Sequence, residues 1–211
     1  MQPDPLEHQL LGRHGAIIGV DEAGRGCLAG PVYVAAVLVT IEQMKYLLAI
    51  PHLNDSKKLS PSRRETILEQ FLEMGLTWRA SVIVPRIIDR INILEASRLG
   101  MKRSVERIPT DGQLRPIVAV DGNQPIEIRY PQQTIVKGDS RFRSIAMASI
   151  IAKVLRDRYM RAVDQVWPQY GFSAHKGYPA PEHKAALLNH GPCPIHRLSY
   201  RGVLPNPHLS F

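Results

Sequence analysis

Five short apolar or alternating stretches along the chain predict β-strands. The first two are rich in β-branched residues and are separated by a glycine-rich segment, and the last two are each followed directly by a turn that contains glycine. We assign the strands to residues 16–20, 32–39, 78–84, 117–120 and 133–136.

Three longer segments have the apolar periodicity of amphipathic helices. Residues 60–75 begin with a Ser-Pro pair, which is typical of a helix start, and end at a glycine. Residues 85–108 place apolar side chains at three- and four-residue steps, which predicts one long helix. In residues 140–160, small side chains would let a helix lie close to a sheet, and we expect Asp139 and Ser140 to cap its start.

The order of these elements predicts the fold class. Strands and helices are interspersed along the chain, so we expect an α/β or α+β domain with a mixed sheet. No internal repeat is visible, and the length suits one domain. We therefore predict a single domain over residues 1–211, with a core at about 12–165 and a Pro- and His-rich C-terminal extension at about 166–211 packed on it.

The composition excludes several classes of protein. Of the 211 residues, 44% are hydrophobic and 22% are charged, which is ordinary for a globular domain and too apolar for a disordered chain. The longest apolar stretch, residues 32–41, is about half as long as a membrane-spanning helix, and the first ten residues lack the pattern of a secretory signal. The two cysteines lie far apart in sequence, which favours a reducing compartment. We expect a cytoplasmic monomer without membrane contact.

The chain is basic. It has 27 Lys and Arg against 19 Asp and Glu, which gives a formal net charge of +8. Such a surplus favours an anionic partner, but it is equally consistent with plain solubility. A nucleic-acid partner is therefore a hypothesis that needs support from the motifs.

Acidic residues follow three of the predicted strands. Asp21 and Glu22 follow the first, and Asp121 and Asp139 follow the fourth and fifth. Any one of them alone is more typical of a turn. If these strands are parallel neighbours, however, the four side chains meet at one edge of the sheet, where open α/β sheets bind ligands. Four close carboxylates repel one another unless divalent cations lie between them, and all-oxygen ligands favour Mg²⁺ or Mn²⁺.

The glycine-rich segment after the first strand has two interpretations. Residues 24–29 match the G-x-G-x-x-A pattern of dinucleotide-binding loops, but a strand follows them instead of the helix that such a site requires. The favoured interpretation is a loop beside the acidic edge, in which Gly24 and Gly26 permit positive φ angles and bring the backbone close to a ligand, while Arg25 adds a cation able to hold a phosphate oxygen. Successive side chains of a strand point to opposite faces, so the strand must end at the acidic pair if both acids are to reach one site.

The motifs occur in an order that resembles one family. Along nearly its whole length, the chain resembles bacterial ribonuclease HII, which belongs to the type 2 ribonucleases H. The motifs that carry the resemblance are DEAGRG at residues 21–26, NDSKKLS at 54–60, VDGN at 120–123, KGDS at 137–140, ASIIAKVLRDR at 148–158 and YGFSAHKGY at 170–178. The related ribonuclease HIII is typically longer at its N-terminus and differs in the central residue of the glycine loop.

The resemblance implies a ribonuclease H-like mixed five-stranded sheet flanked by helices, with a helical C-terminal extension. It also implies an active site made of four acidic residues, which would be both the catalytic residues and the metal ligands. In this sequence they are Asp21, Glu22, Asp121 and Asp139.

Nucleic-acid contacts are implied as well. The loop of Gly24, Arg25 and Gly26 would recognise the ribonucleotide at an RNA–DNA junction together with Tyr178, because close backbone and an aromatic ring can sense a 2′-hydroxyl. The resemblance further favours Lys57 and Lys58 as phosphate contacts. These lysines form a basic cluster with Arg63 and Arg64 next to a helix start. Without the resemblance, such a lysine pair is more typical of a solvated face.

The implied activity is metal-dependent endonucleolytic hydrolysis of the RNA strand of RNA–DNA hybrids, with cutting on the 5′ side of single ribonucleotides embedded in duplex DNA. The products would carry 5′-phosphate and 3′-hydroxyl ends, and the cellular roles would be ribonucleotide excision repair or primer removal in DNA replication. Up to two Mg²⁺ or Mn²⁺ ions about 4 Å apart would activate the water and stabilise the leaving oxygen, with Asp21 bridging them. Two alternatives stay open: another ribonuclease H-like nuclease, such as a junction resolvase, and a non-catalytic nucleic-acid binder of the same fold.

Two positions depart from the family pattern. Cys27 stands where many relatives have Pro, and Ala180 stands where Thr is usual. Contacts made by these two positions in relatives therefore do not carry over to this chain.

The C-terminal region offers two further candidates. His183, His190, Cys193 and His196 have a spacing that suits zinc, although the neighbouring prolines favour surface and packing roles. The tail LPNPHLSF, residues 204–211, is a candidate docking peptide for a replication partner such as a sliding clamp, although a frayed terminus is the simpler interpretation.

Overall fold

A five-stranded mixed sheet forms the centre of the protein. The computed structural model describes residues 4–51, 53, 59–110, 112 and 114–204. The strands are β1 Ala16–Ala23, β2 Val32–Thr40, β3 Thr77–Ile83, β4 Ile117–Asp121 and β5 Gln132–Ile135. Their order in the sheet is β3-β2-β1-β4-β5. β2 is antiparallel to both β1 and β3, whereas β4 is parallel to both β1 and β5.

Helices pack on both faces of the sheet. They are α1 Pro5–His14, α2 Ile41–Leu48, α3 Pro61–Glu73, α4 Pro85–Glu106, α5 Gly138–Arg141, α6 Arg143–Asp164, α7 Phe172–His175 and α8 Pro181–His190. One core cluster lies between α6 and the sheet, and a second lies between α4 and the opposite face. The predicted fold class is therefore confirmed, including a helical C-terminal extension. Among the described residues, no helix is long and apolar enough to cross a lipid bilayer.

The helix predicted over residues 85–108 is interrupted, so the prediction of one long helix was wrong. Within α4, Asn92 has a φ of 65° and a ψ of 169°, which are not helical values. Its side-chain oxygen accepts hydrogen bonds from the amides of Leu94 and Glu95 at 2.9 and 3.1 Å, so Asn92 caps the second part of the helix. The apolar periodicity continues across the break, which is why the pattern alone did not reveal it.

The expected cap of α6 by Asp139 and Ser140 was also wrong, because both residues lie in the short helix α5. The first amides of α6 instead bind the buried carboxylate of Glu7, which comes from α1. Glu7 accepts from the amide of Arg143 at 2.8 Å, from the amide of Ser144 at 2.9 Å and from the Ser144 hydroxyl at 2.7 Å. Burial raises the pKa of Glu7, although these hydrogen bonds partly offset that shift. A distant acid thus replaces the local cap.

The start of α6 lies against the backbone of β1. A Cβ atom at Gly19 would be 2.2 Å from the carbonyl carbon of Ser144, so a larger residue would push the helix away. Asp21, two residues further along β1, points to the same face of the sheet as Gly19. This contact therefore sets the distance between α6 and the acidic edge.

Removal of the distant cap should destabilise the protein. We expect Glu7→Ala to lower the free energy of unfolding by about 2–3 kcal/mol, because it leaves buried amides without an acceptor. Glu42→Ala, which removes an exposed carboxylate bonded to Lys45, should change it by less than about 0.5 kcal/mol. Urea unfolding of both variants measures the difference, and equal losses would exclude a capping role for Glu7.

The C-terminal extension packs on the loop between β1 and β2. A third buried cluster joins Leu28 and Ala29 of this loop and Met160 of α6 to apolar residues between positions 170 and 203. Ala29 also forms an isolated antiparallel bridge with His196. The extension therefore supports the loop that follows the acidic residues.

Candidate active site

Acidic residues lie together at the C-terminal edge of the three parallel strands. Val20 of β1 is paired with Val120 of β4, so the next residues, Asp21 and Asp121, lie side by side. β5 ends beside Asp121, and Asp139 follows in α5. The structure thus meets the condition set from the sequence, that the first, fourth and fifth strands be parallel neighbours.

Asp121 holds the turn that carries Asp139. Its Oδ1 atom accepts hydrogen bonds from the amide of Gly138 at 2.7 Å and from the amide of Asp139 at 3.4 Å. Both acids are half-buried. The position of Asp139 at this edge therefore depends on Asp121.

Glu22 reaches the edge in a different way from the one predicted. The expectation that the first strand ends at the acidic pair was wrong, because β1 continues to Ala23 and pairs with β2 throughout. Asp21 and Glu22 therefore point to opposite faces of the sheet. β4 ends opposite Asp21, so Glu22 lies beyond the end of the neighbouring strand, where it forms an ion pair with Arg25 at 3.3 Å.

Asp21 is a buried acid whose pKa is strongly perturbed. Its exposure is 5%, and its pKa is raised well above the ordinary value, first by burial and then by the charges of Glu22 and Asp121. Hydrogen bonds from the Ser149 hydroxyl and the Glu22 amide partly offset these effects. A carboxyl group in such surroundings is stabilised either by binding a proton or by a cation beside it.

The acidic residues nevertheless do not form a closed metal cage. Across residues 4–51, 53, 59–110, 112 and 114–204, no group of three or more His, Cys, Asp or Glu side chains is arranged to hold a metal ion. The donor chemistry still fits a hard divalent cation, because all the candidate ligands are oxygens and Asp21 is a desolvated carboxyl next to two like charges.

The glycine loop lies next to these acids. Gly24 has a φ of 98°, so it uses the conformational freedom of glycine, whereas Gly26 does not have a positive φ. A Cβ atom at Gly24 would lie 2.1 Å from Nε of Arg156, whereas a Cβ atom at Gly26 would have no neighbour within 4 Å. Arg25, whose side chain is 51% exposed, and Gly26 form the exposed rim of the loop.

Tyr178 packs beside the same loop. The carbonyl oxygen of Gly177 accepts hydrogen bonds from the amides of Leu28 and Ala29 at 2.8 and 3.4 Å, and the Tyr178 hydroxyl is hydrogen-bonded to the buried thiol of Cys27. Burial raises the pKa of this tyrosine, and the neighbouring Cys27 raises it further. Tyr178 remains 41% exposed at the edge of the loop, and the cationic groups of Lys153 and Arg156 lie 5.7 and 5.8 Å from the centre of its ring.

The basic cluster predicted next to α3 is only partly described. Lys57 and Lys58 lie outside the described residues. The inclusion of Arg64 was wrong, since it is buried, donates to the carbonyl of Leu59 at 2.5 Å and lies 3.6 Å from the carboxylate of Asp157. Arg64 therefore binds the protein itself.

Three residues near the site were given no role by the sequence. Ser149 binds Asp21 from α6, and the fully buried Arg156 and Arg197 bind the loop between β1 and β2. Ser149 and Arg156 fall within the motif at residues 148–158, so the resemblance drew attention to this segment without assigning a role to either residue. Arg197 lies outside every motif, and nothing in its local sequence distinguishes it from a surface arginine.

Comparison with known sequences decides the family. The sequence model described as Ribonuclease HII matches residues 18–203, which include the acidic edge, the glycine loop and Tyr178. The chain belongs to the ribonuclease HII family. It is 43% identical over 197 residues to ribonuclease HII of Syntrophotalea carbinolica, covering 92% of this chain and 90% of that one. It is 47% identical over 189 residues to ribonuclease HII of Geobacter sulfurreducens, covering 89% and 82%.

Solved structures agree with this assignment. Ribonuclease H2 from Pyrococcus horikoshii OT3 superimposes with a TM-score of 0.75 at 25% identity, covering 89% of this chain and 95% of that one. The structure of Bst-RNase HIII in complex with Mn²⁺ superimposes with a TM-score of 0.70 at 20% identity, covering 96% of this chain and 72% of that one. This likeness shows that the two proteins share a fold. As a ribonuclease HII, the protein is a ribonuclease H-type endonuclease, a hydrolase of phosphodiester bonds.

Buried histidines support the segment that carries Tyr178. Nδ1 of His183 lies 2.8 Å from the carbonyl oxygen of Tyr178 and therefore carries the proton. Nε2 of His183 then accepts from Nε2 of His196 at 3.0 Å, and Nδ1 of His196 accepts from the amide of Cys193 at 3.0 Å. Of the four residues with zinc-like spacing, His183 and Cys193 thus both contact His196, whereas His190 is exposed.

This histidine pair should make the stability depend on pH. Burial lowers the pKa of His196 to about 4, with a contribution from neighbouring His183, whose own pKa is also lowered. Below the ordinary pKa of 6.5 the unfolded chain binds protons more readily than the folded one, so stability is complete above about pH 6.5 and falls towards pH 4. We expect a loss of about 2–3 kcal/mol. Urea unfolding at several pH values, with His196→Gln as comparison, tests this; an equal pH dependence in both proteins would contradict it.

The departure at Ala180 leaves α8 without a side-chain cap. Ala180 occupies the N-cap position with extended backbone and makes no cap hydrogen bond. We expect Ala180→Thr to raise the free energy of unfolding by about 1 kcal/mol, because a hydroxyl at this position can accept from the first turn. Ala180→Val has nearly the same shape without the hydroxyl, so thermal unfolding should distinguish the two; equal stabilities would exclude capping.

Proposed function

We propose that the protein hydrolyses the RNA strand of RNA–DNA hybrids and cuts on the 5′ side of single ribonucleotides in duplex DNA, with Mg²⁺ or Mn²⁺ as cofactor. The products would carry 5′-phosphate and 3′-hydroxyl ends. The observation that carries this proposal is the location of the desolvated Asp21, beside Glu22 and Asp121, directly before a loop with an exposed rim. Acidic ligands and a surface for nucleic acid thus adjoin one another.

The roles of the acids follow from their surroundings. In the proposed site Asp21, Glu22, Asp121 and Asp139 hold the divalent cations, which supply charge neutralisation and activation of water when bound. Asp21 is assigned as the central ligand, since a nearby cation would stabilise its buried carboxylate against the charges of Glu22 and Asp121. Asp121 orients the Asp139 turn through its Oδ1 atom.

Recognition of the ribonucleotide is assigned to the glycine loop beside the acids and to Tyr178. Gly24, Arg25 and Gly26 bring backbone and a cation close to the substrate, and Tyr178 offers an exposed ring for stacking on a sugar or base. Because one 2′-hydroxyl is the only difference between RNA and DNA at a given position, such short-range contacts are what discrimination requires. Lys57 and Lys58 are proposed as phosphate contacts on sequence grounds alone.

The cellular setting is part of the proposal. We propose a cytoplasmic monomer that acts in ribonucleotide excision repair and in DNA replication. A related solved structure, 26% identical with a TM-score of 0.66 and covering 82% of this chain and 85% of that one, is the PCNA:RNase HII complex from Archaeoglobus fulgidus. A sliding-clamp contact of the present chain is proposed through its C-terminal tail, of which residues 205–211 lie outside the described residues.

A panel of duplexes tests the proposed function. An RNA–DNA hybrid, a DNA duplex with one ribonucleotide and the same duplex without it are incubated with the protein and Mg²⁺ or Mn²⁺. Cutting of the first two substrates and not of the third is expected. Cutting of all three would indicate a less selective nuclease, such as a resolvase, and binding of all three without cutting would indicate a non-catalytic protein.

A further inference from the structure

Two fully buried arginines lie beneath the loop that joins β1 and β2. Arg156 comes from α6, and Arg197 comes from the C-terminal extension. A buried charge is strongly unfavourable unless its hydrogen-bonding groups are satisfied within the protein. The partners of each guanidinium group therefore show what these arginines hold in place.

Arg156 binds the second half of the loop and the segment before Tyr178. It donates to the carbonyls of Pro31 and Ala29 at 3.1 and 3.0 Å, and to the carbonyl of Lys176 at 2.8 Å. Three backbone carbonyls from two segments thus surround one guanidinium group.

Arg197 binds the first half of the loop. It donates to the carbonyls of Gly24, Arg25 and Gly30 at 2.7, 2.8 and 3.0 Å. Tyr200 strengthens the contact, because its hydroxyl donates to the carbonyl of Arg25 at 2.7 Å and lies 3.1 Å from Nη1 of Arg197. A planar guanidinium group can bind several carbonyls at fixed angles, which an ammonium group cannot.

These contacts fix the direction of two peptide groups. In a trans peptide the carbonyl and the N–H point in opposite directions. Because the carbonyls of Gly24 and Arg25 point at the buried Arg197, the amide hydrogens of Arg25 and Gly26 point away from it, towards the exposed rim. In the described part of the chain, neither amide donates to another backbone carbonyl.

We propose that Arg197 is a positioning residue for substrate recognition, which holds the peptide groups of the loop so that the amides of Arg25 and Gly26 face the ribonucleotide. Arg197 itself does not touch the substrate. The inference rests on the proposed function, in which this loop recognises the ribonucleotide. Because Arg197 belongs to the C-terminal extension, the extension would contribute to substrate specificity as well as to packing.

Arg197→Lys tests the proposal because it keeps the charge and removes the fixed set of donors. For a duplex with one ribonucleotide, kcat/KM should fall by about tenfold or more, while the Kd for the same duplex without the ribonucleotide changes by less than about twofold. Arg143→Lys is the matched control, since Arg143 is also buried and bound to a backbone carbonyl, that of Leu47 at 2.9 Å. It should leave kcat/KM within about threefold of wild type.

A second variant keeps the test decisive if Arg197→Lys does not fold. Tyr200→Phe removes one donor to the Arg25 carbonyl and should lower kcat/KM by about threefold to tenfold with an unchanged Kd for the all-DNA duplex. A folded Arg197→Lys protein with wild-type kcat/KM, or Tyr200→Phe without any effect, would overturn the proposal. Equal losses in kcat/KM and in all-DNA binding would also overturn it, since they indicate general damage. Failure of the wild type to cut would instead refute the proposed function.

Discussion

Replacement of Asp21 by Asn should abolish cleavage of a ribonucleotide-containing duplex, with a loss of about a thousandfold or more in kcat. The substitution keeps the shape of the side chain and removes the buried negative charge that we assign to cation binding. Affinity for the duplex should change little, since the proposed nucleic-acid contacts come from the glycine loop and Tyr178. Single-turnover cleavage and equilibrium binding measure the two effects separately.

The same variant should not be less stable than the wild type. Burial and the charges of Glu22 and Asp121 raise the pKa of Asp21, so its ionised form is unfavourable in the folded state without cations. Asn is neutral and therefore avoids the unfavourable free energy of a buried negative charge. Glu127→Gln, at an exposed carboxylate bonded to Lys102, is the control and should keep full activity. Wild-type turnover by the Asp21→Asn protein would refute the assignment of this acid.

The second large effect is expected for Gly24→Ala. The positive φ is unfavourable for alanine, and the new methyl group would overlap the side chain of Arg156, so we expect a loss of about 3 kcal/mol or more in stability together with weaker cleavage. Urea unfolding and cleavage assays measure these losses.

Gly26→Ala is the matched control within the same motif. A methyl group there meets no atom within 4 Å, so stability should change by less than about 0.5 kcal/mol. Any loss of cleavage in Gly26→Ala would therefore report on substrate contact and not on folding. Equal destabilisation by the two substitutions would contradict the described loop conformation.

The sequence predicted the sheet and the acidic edge because local signals were sufficient there. β-branched runs located the strands, and the acids after the first, fourth and fifth strands indicated a shared edge, which the parallel pairing of β1 with β4 and β4 with β5 provides. The roles of Asp21, Glu22, Asp121 and Asp139 stay predictions, as do those of the glycine loop and Tyr178.

Errors arose where long-range contacts decide the local structure. β1 continues past Glu22 because β2 pairs with it to the end, and no turn signal reports that pairing. The start of α6 depends on Glu7, more than 130 residues away in the chain, and not on the nearby Asp139. The burial of Arg197 beneath the loop likewise depends on how the extension folds back, which no spacing in the sequence reveals.

The central claim is that the acidic edge cuts next to a ribonucleotide with the help of a divalent cation. The most direct measurement maps the products from a DNA duplex with one ribonucleotide, incubated with the wild-type protein and Mg²⁺ or Mn²⁺, with and without a chelator. We predict a single cut on the 5′ side of the ribonucleotide, a 3′-hydroxyl end that a polymerase extends, and no product with the chelator. Cutting that persists in the chelator, or that occurs equally in the all-DNA duplex, would contradict the account.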